Sequence, residues 1–225
     1  MRTPAREDDP RHMPPNFYYA QEDALRLAQR GKSCTWTASW PKFLYEFAPE
    51  RARNLVSMIA VWAATCKELD VPLDFPGTQA CYGALTEATD ARQLATAITW
   101  MVSSGQVANQ AVNITDGTAF RWSALWPRIA EHYEIPLGTV RPIKLASWMT
   151  DKESVWQAIV RRYGLRPSVM QDVVHWGFAD FVWAMGYDVM SSMSRARNLG
   201  FTGYVDTEEN ILSMLRAYRE ARILW

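Results

Sequence analysis

The segment between residues 55 and 66 constrains the fold of this chain more than any other. Apolar residues recur across 53–69 at the three- and four-residue spacing of a helix. They are Leu55, Val56, Ile59, Trp62, Ala63 and Cys66. A membrane span needs roughly 20 apolar residues, and this stretch is shorter. The pattern therefore predicts a helix that lies inside a protein core.

The flanking sequence predicts the strands and helices that would enclose such a helix. Residues 34–40 alternate at period two and end at Pro41, which indicates a strand, and residues 110–115 indicate a second one. The prolines of 71–77 and 135–142 indicate an extended piece and a link without regular structure. Strands that alternate with helices and precede a helix-rich part predict an α/β fold.

Several helices carry capping signals. Asn16 is expected to cap a helix that stops at Gly31, and Asp90 to cap a helix with an inner stripe of Leu94, Ala97, Ile98 and Met101. Pro127 is expected in the first turn of its helix or at a kink. The remaining helical patterns cover 122–133, 151–163, 168–175, 177–187 and 207–222.

Composition excludes several functional classes. The chain has 225 residues, of which 48% are hydrophobic and 21% charged, and its 24 basic and 24 acidic side chains cancel. A neutral chain has no long-range field to attract nucleic acid or an anionic membrane. Three cysteines without metal-ligand spacing and an opening without an apolar run predict a cytoplasmic protein. Eleven tryptophans predict a large core or an apolar pocket.

Four motifs occur in a fixed order along the chain. They are Asn16-Phe-Tyr-Tyr followed by Glu22-Asp23, and then residues 73–77, 113–126 and 200–207. Together they resemble the progesterone 5-beta-reductase and iridoid synthase group of extended short-chain dehydrogenases/reductases. The resemblance implies the C-terminal, substrate-side part of a Rossmann fold, which is helix-rich and has few strands.

The resemblance also implies a domain organisation and a missing cofactor unit. Residues 1–225 are expected to form one partial domain, with 1–134 as the rest of the α/β region and 135–225 mostly helical. The 11 glycines include no Gly-x-Gly turn for a dinucleotide pyrophosphate. The dinucleotide-binding half is therefore expected to be absent and to come from a lost upstream segment or a partner chain.

The family's site residues transfer only in part. By resemblance, Tyr18 would donate a proton or hydrogen bond to a substrate carbonyl while NADPH supplies hydride, with Tyr19 as the second choice. No lysine precedes Tyr18 to support it. In the Arg-Pro-Gly turn beside the cofactor only Pro41 remains, because the sequence has Trp40 and Lys42 in place of its arginine and glycine. Glu46 replaces a later glycine.

Three functional hypotheses remain open. The chain is an NADP(H)-dependent reductase of apolar enones or enals, a non-catalytic remnant or apolar-ligand-binding module, or a cofactor-independent isomerase or cyclase. NADP(H) enters only by resemblance, and binding by this chain alone is not expected. The strand near Trp36 is expected to lack its neighbours and to promote self-association. The separated His12, His132 and His175 do not indicate a metal site.

Overall fold

The structure is a computed structural model that describes residues 3–12 and 15–225. Met1, Arg2, Met13 and Pro14, which belong to the irregular opening predicted from sequence, lie outside the described residues. The described helices are α1 (Phe17–Gln29), α2 (Leu55–Glu68), α3 (Gln79–Gly83), α4 (Ala91–Ser103), α5 (Trp122–Tyr133), α6 (Leu145–Trp148), α7 (Glu153–Tyr163), α8 (Met170–Val173), α9 (Trp176–Trp183), α10 (Ser194–Asn198) and α11 (Thr207–Glu220). The described strands are β1 (Thr37–Pro41), β2 (Phe43–Tyr45), β3 (Leu73–Phe75), β4 (Leu85–Thr86), β5 (Ala88–Asp90), β6 (Gln110–Ile114), β7 (Phe120–Arg121) and β8 (Leu137–Val140).

The strands associate in pairs, and three of the four pairs are parallel. β1 lies beside β6 in a register that runs from Thr37 opposite Gln110 to Pro41 opposite Ile114. β2 pairs with β5 and β3 with β8 in parallel, while β4 and β7 are antiparallel. Parallel neighbours need long crossovers. This pairing confirms the α/β prediction.

The long helices follow the sequence pattern closely. α5 has the predicted bounds, but Pro127 is its sixth residue and so lies beyond the first turn, which was one of the two places predicted for it. α2 is capped by Asn54, whose Oδ1 accepts from the backbone N–H of Val56 at 3.0 Å. Asn16 and Asp90 cap α1 and α4 as predicted. The prediction of an inner apolar stripe on α4 is partly wrong, because the Ile98 side chain is 45% exposed.

The strand predictions needed more correction. The strand predicted over 34–40 begins only at Thr37, and the link predicted over 135–142 contains β8. β2, β4, β5 and β7 were not predicted, since each has only two or three residues and shows no alternation. The chain is thus helix-rich, with more strands than the sequence indicated.

The core is built around α2. Its residues from Leu55 to Cys66 are all buried, as predicted for a core helix. A cluster of four aromatic rings packs nearby, with neighbouring centroids 5.1 to 6.0 Å apart: Phe75, Trp122, Trp126 and Trp183. The buried residues of this core are spread along the sequence from Tyr45 to Leu224. The same core therefore contains residues of the α/β part (1–134) and of the helical part (135–225).

One side of the molecule is left open. α1 has no buried residue, and its Phe17, Tyr18 and Leu27 side chains are more than 60% exposed. β1 has β6 as its one strand partner within residues 3–12 and 15–225. The expectation that the strand near Trp36 lies unpaired is wrong for one edge, because β6 supplies that neighbour.

Candidate functional site

The two tyrosines singled out by the sequence lie in the first turn of α1 but differ in their surroundings. Asn16 caps this turn and accepts a hydrogen bond from the backbone N–H of Tyr18 at 3.0 Å. The Tyr18 side chain is 65% exposed, and its hydroxyl has no hydrogen bond to any described residue. Tyr18 therefore presents a phenol that a ligand can reach.

Tyr19 is instead tied to the preceding segment. Its hydroxyl lies 3.1 Å from the backbone nitrogen and 3.3 Å from the backbone oxygen of His12, so that it can accept from one and donate to the other. The Arg11 guanidinium lies 4.9 Å from its ring centroid. These contacts favour a structural role for Tyr19.

Pro41 ends the β1–β6 ladder opposite Ile114. The next residue, Lys42, lies between β1 and β2, and its backbone N–H donates to Thr89 Oγ1 at 3.0 Å. Burial lowers the pKa of the Lys42 ammonium, and attraction to Glu87 partly opposes this change. The position at which the family has a glycine thus carries a partly buried amine.

Glu87 is a buried carboxylate whose charge acts on the Lys42 amine, and the sequence did not single it out. Its side chain is 5% exposed, and Oε2 accepts from the backbone N–H of Ser191 at 2.7 Å. Burial raises the Glu87 pKa to about 7, against the opposing effects of that N–H and of Lys42. The Ser191 hydroxyl is also buried and has no hydrogen-bond partner among the described residues.

A second buried carboxylate, Asp116, holds elements of the fold together. Its Oδ1 accepts from the backbone N–H of Asp90 at 2.7 Å, and its Oδ2 accepts from the hydroxyls of Tyr45 at 2.6 Å and Thr207 at 2.9 Å. Burial raises the Asp116 pKa, although these bonds oppose it. The sequence indicated only a tight turn here, and the structure shows a bend at Gly117, whose φ is 93°.

Among the described residues, cavities also lie away from these side chains. One of about 290 Å³ is a polar cleft between the opening segment and α10, and its lining includes Arg6, Glu7, Ser194 and Arg195. A second, of about 210 Å³, lies beside Trp183 and Lys144. Phe75, Trp122 and Trp126 of the aromatic cluster lie in the buried core, as one of the two alternatives predicted from the tryptophan content requires, and the fourth ring, Trp183, also lines the second cavity.

A dinucleotide and a metal ion each require particular residues at their binding site. The sequence has no Gly-x-Gly turn, and Lys42 stands where the family resemblance implies a glycine beside the cofactor. These residues do not fit a dinucleotide pyrophosphate by themselves. Within 3–12 and 15–225 no group of three or more His, Cys, Asp or Glu is placed to hold a metal ion, and no helix there is long and apolar enough to cross a membrane.

Solved structures with the same fold are short-chain dehydrogenases/reductases and related enzymes. A short-chain dehydrogenase/reductase superfamily protein from Agrobacterium tumefaciens with bound NAD superposes with a TM-score of 0.61 at 16% identity, covering 98% of this chain and 62% of that one. RMD from Pseudomonas aeruginosa, complexed with NADPH, gives 0.61 at 12% identity, covering 97% and 60%. At these identities the likeness defines a Rossmann-type α/β fold.

The sequence comparisons define the family. The PRISE-like Rossmann-fold domain matches residues 1–224. An (S)-8-oxocitronellyl enol synthase from Camptotheca acuminata is 32% identical over 226 residues, which cover 98% of this chain and 58% of that enzyme. The chain thus spans a little over half the length of this relative. It belongs to the PRISE-like family of extended short-chain dehydrogenases/reductases, as the four motifs implied.

Proposed function

We propose that this chain is the substrate-side portion of an NADP(H)-dependent reductase of small apolar carbonyl compounds. Family membership supports the reaction class, and the oxo compound in the relative's name supports a carbonyl substrate. The observation that carries the proposal is the contrast between the two tyrosines. Tyr18 has a free, exposed hydroxyl on the motif helix, while the Tyr19 hydroxyl is engaged with His12.

In this proposal Tyr18 is the catalytic residue. Its phenol donates a hydrogen bond to the carbonyl oxygen of the substrate, where negative charge develops during reduction. NADP(H), when bound, supplies the hydride. A dinucleotide-binding unit, covalently attached or in a partner chain, is proposed to dock on the open side formed by α1 and the free edge of β1.

A fusion protein tests the proposal. The part of the Camptotheca enzyme that lies outside the match is joined to this chain, and NADPH oxidation is followed with an apolar enal. The fusion is expected to consume NADPH, and Tyr18→Phe is expected to lower the rate at least about a hundredfold, since a positioned proton donor contributes that much. Tyr19→Phe is the matched control and should stay within a few fold. Equal rates for the Tyr18→Phe and unmodified fusions would contradict the role of Tyr18.

A specific observation favours a second candidate, which is a carbonyl-binding protein without reductase activity. Trp40 and Lys42 stand in place of the arginine and the glycine of the family's cofactor turn, and Glu46 stands in place of a later glycine. A bulky side chain at such a glycine keeps a cofactor away from the backbone. A fusion that folds and binds NADPH but does not oxidise it with any enal would support this candidate over the reductase.

A further inference from the structure

The polar cleft between the opening segment (residues 3–12) and α10 is separate from the site proposed for the reduction. Its volume is about 290 Å³, and none of its lining residues belongs to α1 or β1. Among the described residues that line it, Leu199 alone is apolar, and four are charged: Arg6, Glu7, Asp8 and Arg195. The cleft therefore suits a polar occupant rather than an apolar carbonyl compound.

The walls of the cleft are joined by backbone and side-chain amide hydrogen bonds. The N–H of Ala5 donates to the Met190 carbonyl at 2.9 Å, and the Ala5 carbonyl accepts from the N–H of Ser192 at 2.8 Å. Asn113, in β6, links the same two segments, because its Nδ2 donates to the carbonyls of Ala5 at 3.2 Å and Ser192 at 3.1 Å. These bonds fix the opening segment beside the chain that enters α10, so the cleft is preformed.

Glu7 is the buried charge of this cleft. Its side chain is 4% exposed, and Oε1 accepts from the backbone N–H of Asn113 at 2.8 Å. Oε2 lies 3.8 Å from Arg195 Nε, which is beyond hydrogen-bond distance, and it has no hydrogen bond to any described residue. A buried carboxylate oxygen without a donor is costly. Because Glu7 lines the cleft, this oxygen is an acceptor for a donor group of a ligand.

The two arginines of the cleft keep donors free for a ligand. Arg195 Nη1 donates to the Ala111 carbonyl at 3.2 Å, which leaves other N–H groups of the guanidinium without a hydrogen bond to the described residues. The Arg6 side chain has neither a hydrogen bond nor an ion pair with any described residue, since only its backbone N–H is engaged, by Asp9 Oδ2. A guanidinium with free donors can bind a carboxylate through two parallel hydrogen bonds.

We propose that this cleft binds a small zwitterion, an α-amino acid with a polar side chain. Its ammonium group binds the carboxylates of Glu7 and Asp8, and its carboxylate binds the guanidiniums of Arg6 and Arg195. The two acidic and two basic side chains cancel, so a simple anion or cation meets like charge as well as opposite charge. A volume of about 290 Å³ is at the lower end for small-molecule pockets, which excludes a dinucleotide.

Binding of separate charges against the whole zwitterion tests the proposal. The isolated chain is titrated at neutral pH, by calorimetry and without any nucleotide, with L-serine, L-asparagine and L-glutamine. Acetate and ethylammonium, which each carry one of the two charges, are titrated alongside. At least one amino acid is expected to bind one per chain, at least about tenfold more tightly than either single ion, because each charged group adds hydrogen bonds. No saturation by any of the three at about 10 mM, or equal binding of acetate, would overturn the proposal.

Arg6→Gln tests the carboxylate end of the ligand. The substitution removes a guanidinium without described side-chain partners and keeps the backbone N–H that Asp9 holds, so the fold is retained. Amino-acid binding is expected to weaken at least about tenfold. Arg161→Gln is the matched control, since Arg161 is an exposed arginine on α7 outside the cleft, and it should leave the affinity unchanged. Equal affinities of the two variants would overturn the assignment of Arg6.

Two further variants test the ammonium end. Glu7→Gln keeps an oxygen that can accept from the Asn113 N–H but removes the charge, and Asp8→Asn removes the exposed carboxylate. Each is expected to weaken amino-acid binding at least about tenfold. The unfolding midpoint is measured in parallel, and where Glu7→Gln lowers it, Asp8→Asn decides. Unchanged affinity in both variants would overturn the ammonium site.

This test is independent of the proposed reductase. Tyr18→Phe should bind the amino acid as the unmodified chain does, because Tyr18 does not line the cleft. Amino-acid binding together with an inactive fusion would refute the reductase and retain this site, and an active fusion of a chain that binds no amino acid would do the reverse.

Discussion

At the scale of single residues, the sequence did not predict the burial of two carboxylates or their hydrogen-bond partners. Glu87 is buried, and its carboxylate accepts a hydrogen bond from the backbone N–H of Ser191, which lies 104 positions later in the sequence. Asp116 accepts from Tyr45 and Thr207, which are 71 and 91 positions away. Local patterns describe propensity and periodicity, so they cannot predict a site whose members meet only in the folded chain. Tyr18 and Tyr19 were found only because their motif resembles that of a family.

Glu87 should make stability depend on pH. Its pKa is raised in the folded protein to about 7 from an ordinary value of 4.5, so between these pH values the folded state binds the extra proton. Stability therefore falls as pH rises through this window and stays low above it. We expect the free energy of unfolding, measured by urea titration relative to Glu87→Gln, to drop by about 3 kcal/mol across the window.

The comparison with Glu87→Gln is necessary because His132 acts in the opposite direction. Burial and the nearby Arg219 and Arg216 lower the pKa of His132 to about 4, so its contribution is lost as pH falls below about 6.5. This effect is common to both proteins and cancels in the difference. A difference that does not change with pH would show that Glu87 is not a buried acid.

The Asp116 network should contribute to stability rather than chemistry. Tyr45→Phe removes one donor to Asp116 and leaves the Thr207 and Asp90 bonds in place, at an expected cost of about 1 to 3 kcal/mol in the free energy of unfolding. Chemical denaturation measures the cost. Tyr18→Phe, at an exposed phenol, is the control and should change stability by less than about 0.5 kcal/mol.

At the scale of elements, the length of each helix or strand decided whether the sequence pattern could predict it. α2, α5 and α11 contain 12 to 14 residues, enough for helical periodicity to appear. β2 and β5 contain three residues each and form only because they pair with each other across more than 40 positions. The hydrogen bond from the Lys42 N–H to Thr89 Oγ1 joins the same two segments, so the sequence could not predict it for the same reason.

The open side formed by α1 and β1 should cause self-association of the isolated chain. Exposed apolar side chains on α1 and an unpaired strand edge favour contacts between copies. We expect oligomers by light scattering, and the double substitution Phe17→Ser with Leu27→Glu should shift the population toward monomer. Val102→Glu, at a still more exposed apolar residue on α4, is the control and should leave the oligomers unchanged. A monodisperse monomer of the unmodified chain would contradict this account.

At the scale of the whole molecule, one apolar core links the α/β part to the helical part. Trp126 lies within it, 1% exposed, and its indole N–H donates to the Leu73 carbonyl at 3.2 Å. Trp126→Ala is expected to cost about 3 to 5 kcal/mol in the free energy of unfolding, as large-to-small changes in cores do. Measured separately by fluorescence and circular dichroism, the loss should be the same if both parts unfold together. Separate transitions would show two independent units.

In the proposed function, these residues supply the substrate side of a reductase and need a further unit to bind its dinucleotide. Titration of the purified chain with NADPH, followed by nucleotide fluorescence, tests it most directly. The account predicts no saturable signal at micromolar protein and nucleotide concentrations. Saturable binding with one nucleotide per chain would contradict it.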